Sequence, residues 1–170
     1  MKTGAVLVDV SLPSEFDDYH PAGAVNVPWR LKGSGSMSAA ATAVREGALA
    51  SLGVTATYQN PNFISDLAAA TQGATQVIFA CAGGGTLTAS VNFPDGQASK
   101  SLLACVAVLQ ASGAARAGGV AHLKGGLASW FEADLPGAGE EEQWDKRLGR
   151  MPTVGGPQWE QDNKELMRKD

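Results

Sequence analysis

The chain has 170 residues, 44% of them hydrophobic, and a formal net charge of −4, which suits one globular domain with a real core. The acidic balance argues against a nucleic-acid footprint, and no apolar run is long enough to span a bilayer. Two cysteines, Cys81 and Cys105, are too few for a disulfide scaffold and point to free thiols in a reducing compartment. With the two histidines they are too widely and irregularly spaced for a zinc site, so no metal is expected.

Ala5-Val6-Leu7-Val8-Asp9-Val10 is an apolar run with one acid near its end, which predicts a buried parallel strand. Ser11-Leu12-Pro13-Ser14-Glu15-Phe16 reads as a turn into a short helix with Ser14 as N-cap. His20-Pro21-Ala22-Gly23-Ala24 is a second turn, in which His20 is a structural residue rather than a general base. Val25-Asn26-Val27 is a brief strand before Pro28, and Gly33-Ser34-Gly35-Ser36 reads as flexible. Residues 37–52 are Ala-rich and predict a helix closed by Gly53, while residues 54–61 read as irregular. Asn62 then caps a helix with Phe63, Ile64, Leu67 and Ala68 on one face and Gly73 closing it.

Val77-Ile78-Phe79-Ala80 predicts the next buried strand, followed directly by Cys81 and by Gly83-Gly84-Gly85. Open α/β sheets bind ligands beyond the carboxyl ends of their strands, which is where Cys81 falls. Glycines there let peptide N–H groups converge on an anion. The same field favours a thiolate, so Cys81 is the candidate nucleophile and Gly83, Gly84 and Gly85 the candidate anion cradle. After a polar loop over residues 82–97, with a turn cluster Asn92-Phe93-Pro94-Asp95-Gly96, a helix is expected over residues 99–112. Its N-terminus adds partial positive charge, with Lys100 and Ser101 as candidate substrate-binding residues. Leu102, Leu103, Val106 and Leu109 are its expected apolar stripe, and Cys105 is expected in the core.

Val120-Ala121-His122-Leu123 predicts another strand, with His122 packed on it. Gly125-Gly126 then leads into a short helix over residues 127–131, where Trp130 and Phe131 are core or pocket wall. Strand and helix alternate, which argues an open α/β sheet, mainly parallel, with right-handed crossovers and flanking helices. Charged side chains are sparse up to Gly139 and dense from Glu140. The expected division is a main domain over residues 1–136 and a charged, partly helical extension over residues 137–170. No signal or transit peptide is visible ahead of the first strand.

Several ordered motifs together resemble rhodanese-like domains. They are Leu7-Val8-Asp9-Val10, Glu15-Phe16, His20-Pro21-Ala22-Gly23-Ala24-Val25-Asn26-Val27-Pro28, the Cys81 loop, and His122-Leu123-Lys124-Gly125-Gly126-Leu127-Ala128-Ser129-Trp130 with Leu135-Pro136. Cys81 to Leu87 and Phe93 to Leu102 are similar to a plant and algal chloroplast group with an inserted active loop and a basic-Ser pair after it. The resemblance implies a rhodanese fold and a cysteine that carries a sulfane sulfur as a persulfide. A small anionic donor such as thiosulfate, a thiol acceptor, no cofactor, and Asp9 as an orienting residue follow from it. It also implies a chloroplast location. The charged tail and the inserted loop suit a second kind of protein. That is a non-catalytic module docking on a plastid partner, a thylakoid membrane protein or a redox protein.

Three positions depart from the family pattern. Cys81 and Lys100-Ser101 are about twenty residues apart, much further than in the usual short loop. Lys100 stands where the family commonly has arginine, which loses bidentate oxyanion recognition. Ser11 replaces the arginine that often follows the first Asp-Val and would pair with Glu15. A cysteine-dependent phosphatase needs an arginine closing a compact loop, and Leu87 stands where that arginine would be.

Overall fold

The computed structural model describes residues 4–91, 93–112 and 119–140. Asn92 of the turn cluster and the expected helical end of the tail lie outside the described residues. In chain order the elements are β1 (Ala5–Asp9), α1 (Pro13–Asp18), β2 (His20–Pro21), β3 (Val25–Asn26), β4 (Arg30–Lys32), α2 (Ala39–Ser51), β5 (Thr57–Gln59), α3 (Phe63–Ala70), β6 (Gln76–Ala80), α4 (Lys100–Ser112), β7 (Val120–His122), α5 (Gly126–Glu132) and β8 (Gly137–Ala138). The central sheet has the order β3-β1-β6-β7, and every pairing in it is parallel. The protein is therefore an α/β fold with a parallel central sheet and flanking helices.

The apolar runs of β1 and β6 form its two inner strands because parallel strands covered by helices need continuous apolar sequence. Val8, Val10 and Phe79 are fully buried, and they cluster with Phe63 and Leu67 of α3 and with Ala104, Cys105 and Val108 of α4. Each large side chain so buried contributes about 1.5–3 kcal/mol. The register pairs Asp9 with Ala80, which brings the ends of β1 and β6 level and sets Cys81 at the carboxyl edge of the sheet.

Helix α4 is rotated from the expected orientation. Ser101, Ala104, Cys105 and Val108 face the sheet, whereas Leu103, Val106 and Leu109 are 45%, 48% and 37% exposed. Side-chain bulk does not set this rotation. The hydroxyls of Ser99 and Ser101 are tied to the Cys81 loop, which turns the small residues inward. In α3 only Phe63 and Leu67 are buried, and Ile64 faces solvent.

Some local expectations also change. Ser14 lies within α1, and the helix start is closed instead by the Glu15 carboxylate accepting from the Leu12 N–H at 2.9 Å. Asn62 makes no side-chain cap. The buried Asn60 takes that part, accepting from the Asn62 N–H at 2.9 Å. Residues 54–61 contain a strand, β5, paired antiparallel with β4. Gly33-Ser34 is held, because Ser34 donates to Glu46 at 3.0 Å and Arg45 donates to the Gly33 carbonyl at 3.2 Å. Ser38 caps α2, which ends as expected at Gly53. There the N–H groups of Gly53 and Val54 return to Ala50 and Leu49, and Gly53 has φ +68°. Beyond Pro136 the chain runs antiparallel to β2 as β8.

Candidate functional site

Cys81 follows the last residue of β6 and is 4% exposed. Its Sγ lies 3.2 Å from the Oγ of Ser101, which is wholly buried in the first turn of α4. Two residues twenty apart in sequence therefore meet, and the reason is a bridge. Thr86 and Gln97 pair antiparallel, with N–H to O distances of 2.9 and 2.7 Å. Residues 87–91 and 93–96 are thus pinched off as an outward excursion, and the long loop does not hold the site open.

Within the remaining loop Gly84 and Gly85 adopt φ of +67° and +64°, a conformation that favours glycine. The Gly84 carbonyl accepts from Ser99 Oγ at 2.9 Å and from His122 Nε2. His122 is therefore more than packing, since it fastens the loop to β7. Beneath the loop, α5 donates the Leu127 and Ala128 N–H groups to the carbonyls of Cys81 and Ala82, at 3.0 and 3.3 Å. The peptide N–H groups of Ala82, Gly83, Gly84, Lys100 and Ser101 meet no acceptor among the described residues.

Lys100 is beside the site, but its Nζ is 3.4 Å from Glu15 Oε2, with side chains 27% and 37% exposed. Lys100 thus pairs with Glu15 across α1 and α4. Asp9 is fully buried. Its Oδ1 accepts from the Ser11 N–H at 2.9 Å, and Oδ2 has no hydrogen-bond partner among the described residues. Burial raises its pKa above the usual carboxylate range, with Glu15 adding to the effect. It orients the turn into α1, and so the helix carrying Glu15. His20 bonds the Phe16 carbonyl at 2.7 Å through Nδ1, a structural contact. Trp130 donates to the Pro136 carbonyl at 3.0 Å and Phe131 packs on Tyr19, and neither belongs to the buried core cluster.

Cys105 is buried, and its Sγ points at the Ala121 carbonyl at 3.6 Å. Burial pushes this thiol up to about 11, so it stays protonated and unreactive at neutral pH. Cys105→Ser should lower stability by roughly 1–2 kcal/mol, read as a denaturant midpoint, and leave chemistry at Cys81 intact. Lost activity at unchanged stability would instead make the two thiols partners.

Site residues missed in the sequence are Ser99, Gly126 and the bridge pair Thr86 and Gln97. Gly126 stood within a recognisable motif, but its contact with Cys81 is far from local.

Cys81 is a free, buried thiol on a glycine turn at the carboxyl edge of a parallel sheet. A family model described as Rhodanese-like domain matches residues 1–133, and the chain belongs to that family. It is 34% identical over 133 residues to Rhodanese-like domain-containing protein 14, chloroplastic, from Arabidopsis thaliana, covering 77% of this chain and 56% of that protein. The chain thus spans little more than half the length of that relative. Among solved structures it is similar to the BH2092 protein from Bacillus halodurans, with 14% identity and a TM-score of 0.44 over 89% of this chain and 79% of that one.

Proposed function

We propose that the protein is a sulfurtransferase in which Cys81 carries the sulfur. The observation that supports this most is the Cys81–Ser101 contact at 3.2 Å, made across a loop whose insertion is closed off. The Cys81 thiolate attacks the outer sulfur of thiosulfate. A new S–S bond forms on Cys81, the old one breaks, and sulfite leaves with its electron pair. The N–H groups of Ala82, Gly83 and Gly84, which meet no acceptor among the described residues, and the start of α4 receive the persulfide anion. A thiophilic acceptor, cyanide in an assay or a thiol in the cell, then takes the outer sulfur and restores the thiolate. Thiocyanate formation from thiosulfate and cyanide tests this, and its absence in a folded protein with every sulfane donor tried would overturn it.

Lys100 is proposed to steer the anionic donor while sharing its charge with Glu15. Lys100→Ala should raise KM for thiosulfate roughly two- to fivefold, the scale of an exposed charge interaction, and leave kcat nearly unchanged. Salt should act in the same direction on the wild type. An unchanged KM would confine Lys100 to holding Glu15.

The location proposed is the plastid, on the strength of the chloroplastic relative. A second reading, a docking module without turnover, is favoured by the excursion. Its Leu87, Val91 and Phe93 are 82%, 99% and 41% exposed, apolar surface suited to a protein partner. The charged stretch within residues 137–170 is proposed to have a similar role, with its start, Gly137–Ala138, tied to β2.

A further inference from the structure

The hydroxyls around Cys81 form a chain whose proton directions can be deduced. Ser99 Oγ donates its single proton to the Gly84 carbonyl at 2.9 Å, and it already accepts from the Leu102 N–H at 3.2 Å. Either oxygen of its 3.0 Å contact with Ser101 Oγ can donate; with the Ser99 proton on the Gly84 carbonyl, Ser101 is the donor, because a serine hydroxyl holds one hydrogen. With that hydrogen spent, Ser101 accepts from Cys81, 3.2 Å away, which is the arrangement in which all three contacts carry a hydrogen. The chain therefore runs from the Cys81 S–H to Ser101, to Ser99, to the Gly84 carbonyl.

We propose that Ser99 is a positioning residue for the active thiol. By taking the Ser101 proton it keeps Ser101 turned to Cys81 as an acceptor. When Cys81 ionises, its proton passes to a base in solvent. The Ser101 hydroxyl then turns from Ser99 to the sulfur, giving up one hydrogen bond to make another. Ionisation of Cys81 is thereby coupled to one hydroxyl rotation, and Ser99 sets its cost. The inference deepens the sulfur-transfer reading and rests on it for the identity of the working thiol.

Other titratable groups stand on the elements around Cys81. They are Asp9 on β1, His122 on β7 with Lys124 after it, and Lys100 and Cys105 on α4, with Glu15 of α1 paired to Lys100. A Ser99 variant alters none of these charges. Glycine is the variant of choice, because it is tolerated at an N-cap far better than alanine.

The test follows iodoacetamide labelling of Cys81 against pH, with the Cys81 peptide quantified by mass spectrometry. It needs no turnover, so it can fail or succeed independently of the sulfurtransferase reading. In Ser99→Gly the Ser101 proton is free for the sulfur, and the pH of half-maximal labelling should fall by about half a unit to one unit, the worth of one hydrogen bond. Ser99→Thr, which keeps the hydroxyl, should match the wild type. In a Ser101→Ala background Ser99→Gly should move the midpoint no further, since Ser99 acts through Ser101. An unmoved or raised midpoint in Ser99→Gly would overturn the proposal. So would an equal shift in both backgrounds, which would mark a general effect of the helix end. A shifted midpoint in a protein that takes up no sulfur would uphold the Ser99 role while removing the sulfurtransferase reading.

Discussion

Gly126→Ala is expected to destabilise the protein by roughly 2–5 kcal/mol, combining ~1–2 for a left-handed non-glycine residue with ~1–3 for forced overlap in a packed site. Gly126 has φ +62°, and an added methyl would run into the backbone of Cys81, Ala82 and Gly84. The loop cannot yield on that side, because the Leu127 and Ala128 N–H groups hold its carbonyls from the same helix start. The Cys81 turn must therefore lift, and sulfur transfer should fall with it. Gly23→Ala is the control, since Gly23 has φ +80° but nothing near an added methyl. It should show the conformational part alone and keep activity. Equal tolerance of the two variants, in denaturant midpoint and turnover, would contradict this account of the loop floor.

Asp9→Asn should change how stability depends on pH. Burial raises the Asp9 pKa above its ordinary 3.8, so the folded protein favours the protonated form. The stability linked to that preference is complete below the unfolded pKa of about 4. It is lost as pH rises through the folded value. Wild-type stability should thus decline from acid toward neutral pH by this contribution, and Asp9→Asn should lack it. The advantage of Asp9→Asn over the wild type should grow with pH, from whatever offset its unpaired amide imposes near pH 4, about 1–3 kcal/mol. A difference independent of pH, in denaturant titrations across that window, would mean that Asp9 is not strained by burial.

The strands at the centre were readable because a strand covered on both faces must be apolar throughout, as Ala5–Asp9 and Gln76–Ala80 are. Cys81 was readable for the related reason that the chain must leave such a strand at the sheet edge, and glycines mark the exit. β4 and β5 were not. They are short and polar, and their support comes from afar, through Arg30 donating to Thr57 and Arg45 to the Thr57 carbonyl. The rotation of α4 escaped notice because apolar bulk suggested one face and two serine hydroxyls chose another. The Lys100–Glu15 pair spans 85 positions, and the Thr86–Gln97 bridge is two backbone hydrogen bonds without a sequence signature. The orphan oxygen of Asp9 has a different origin, burial in the folded sheet, with the local Ser11 N–H satisfying only its neighbour.

The central claim is that Cys81 carries sulfur, and intact mass spectrometry after incubation with thiosulfate addresses it directly. One added sulfur atom is expected, mapped to the Cys81 peptide, absent in Cys81→Ser and present in Cys105→Ser. Cyanide should remove it and release thiocyanate. A folded protein that gains no sulfur, or gains it at Cys105, would contradict the claim. No gain at either thiol would leave the docking module, with the Leu87–Phe93 excursion as the surface to probe.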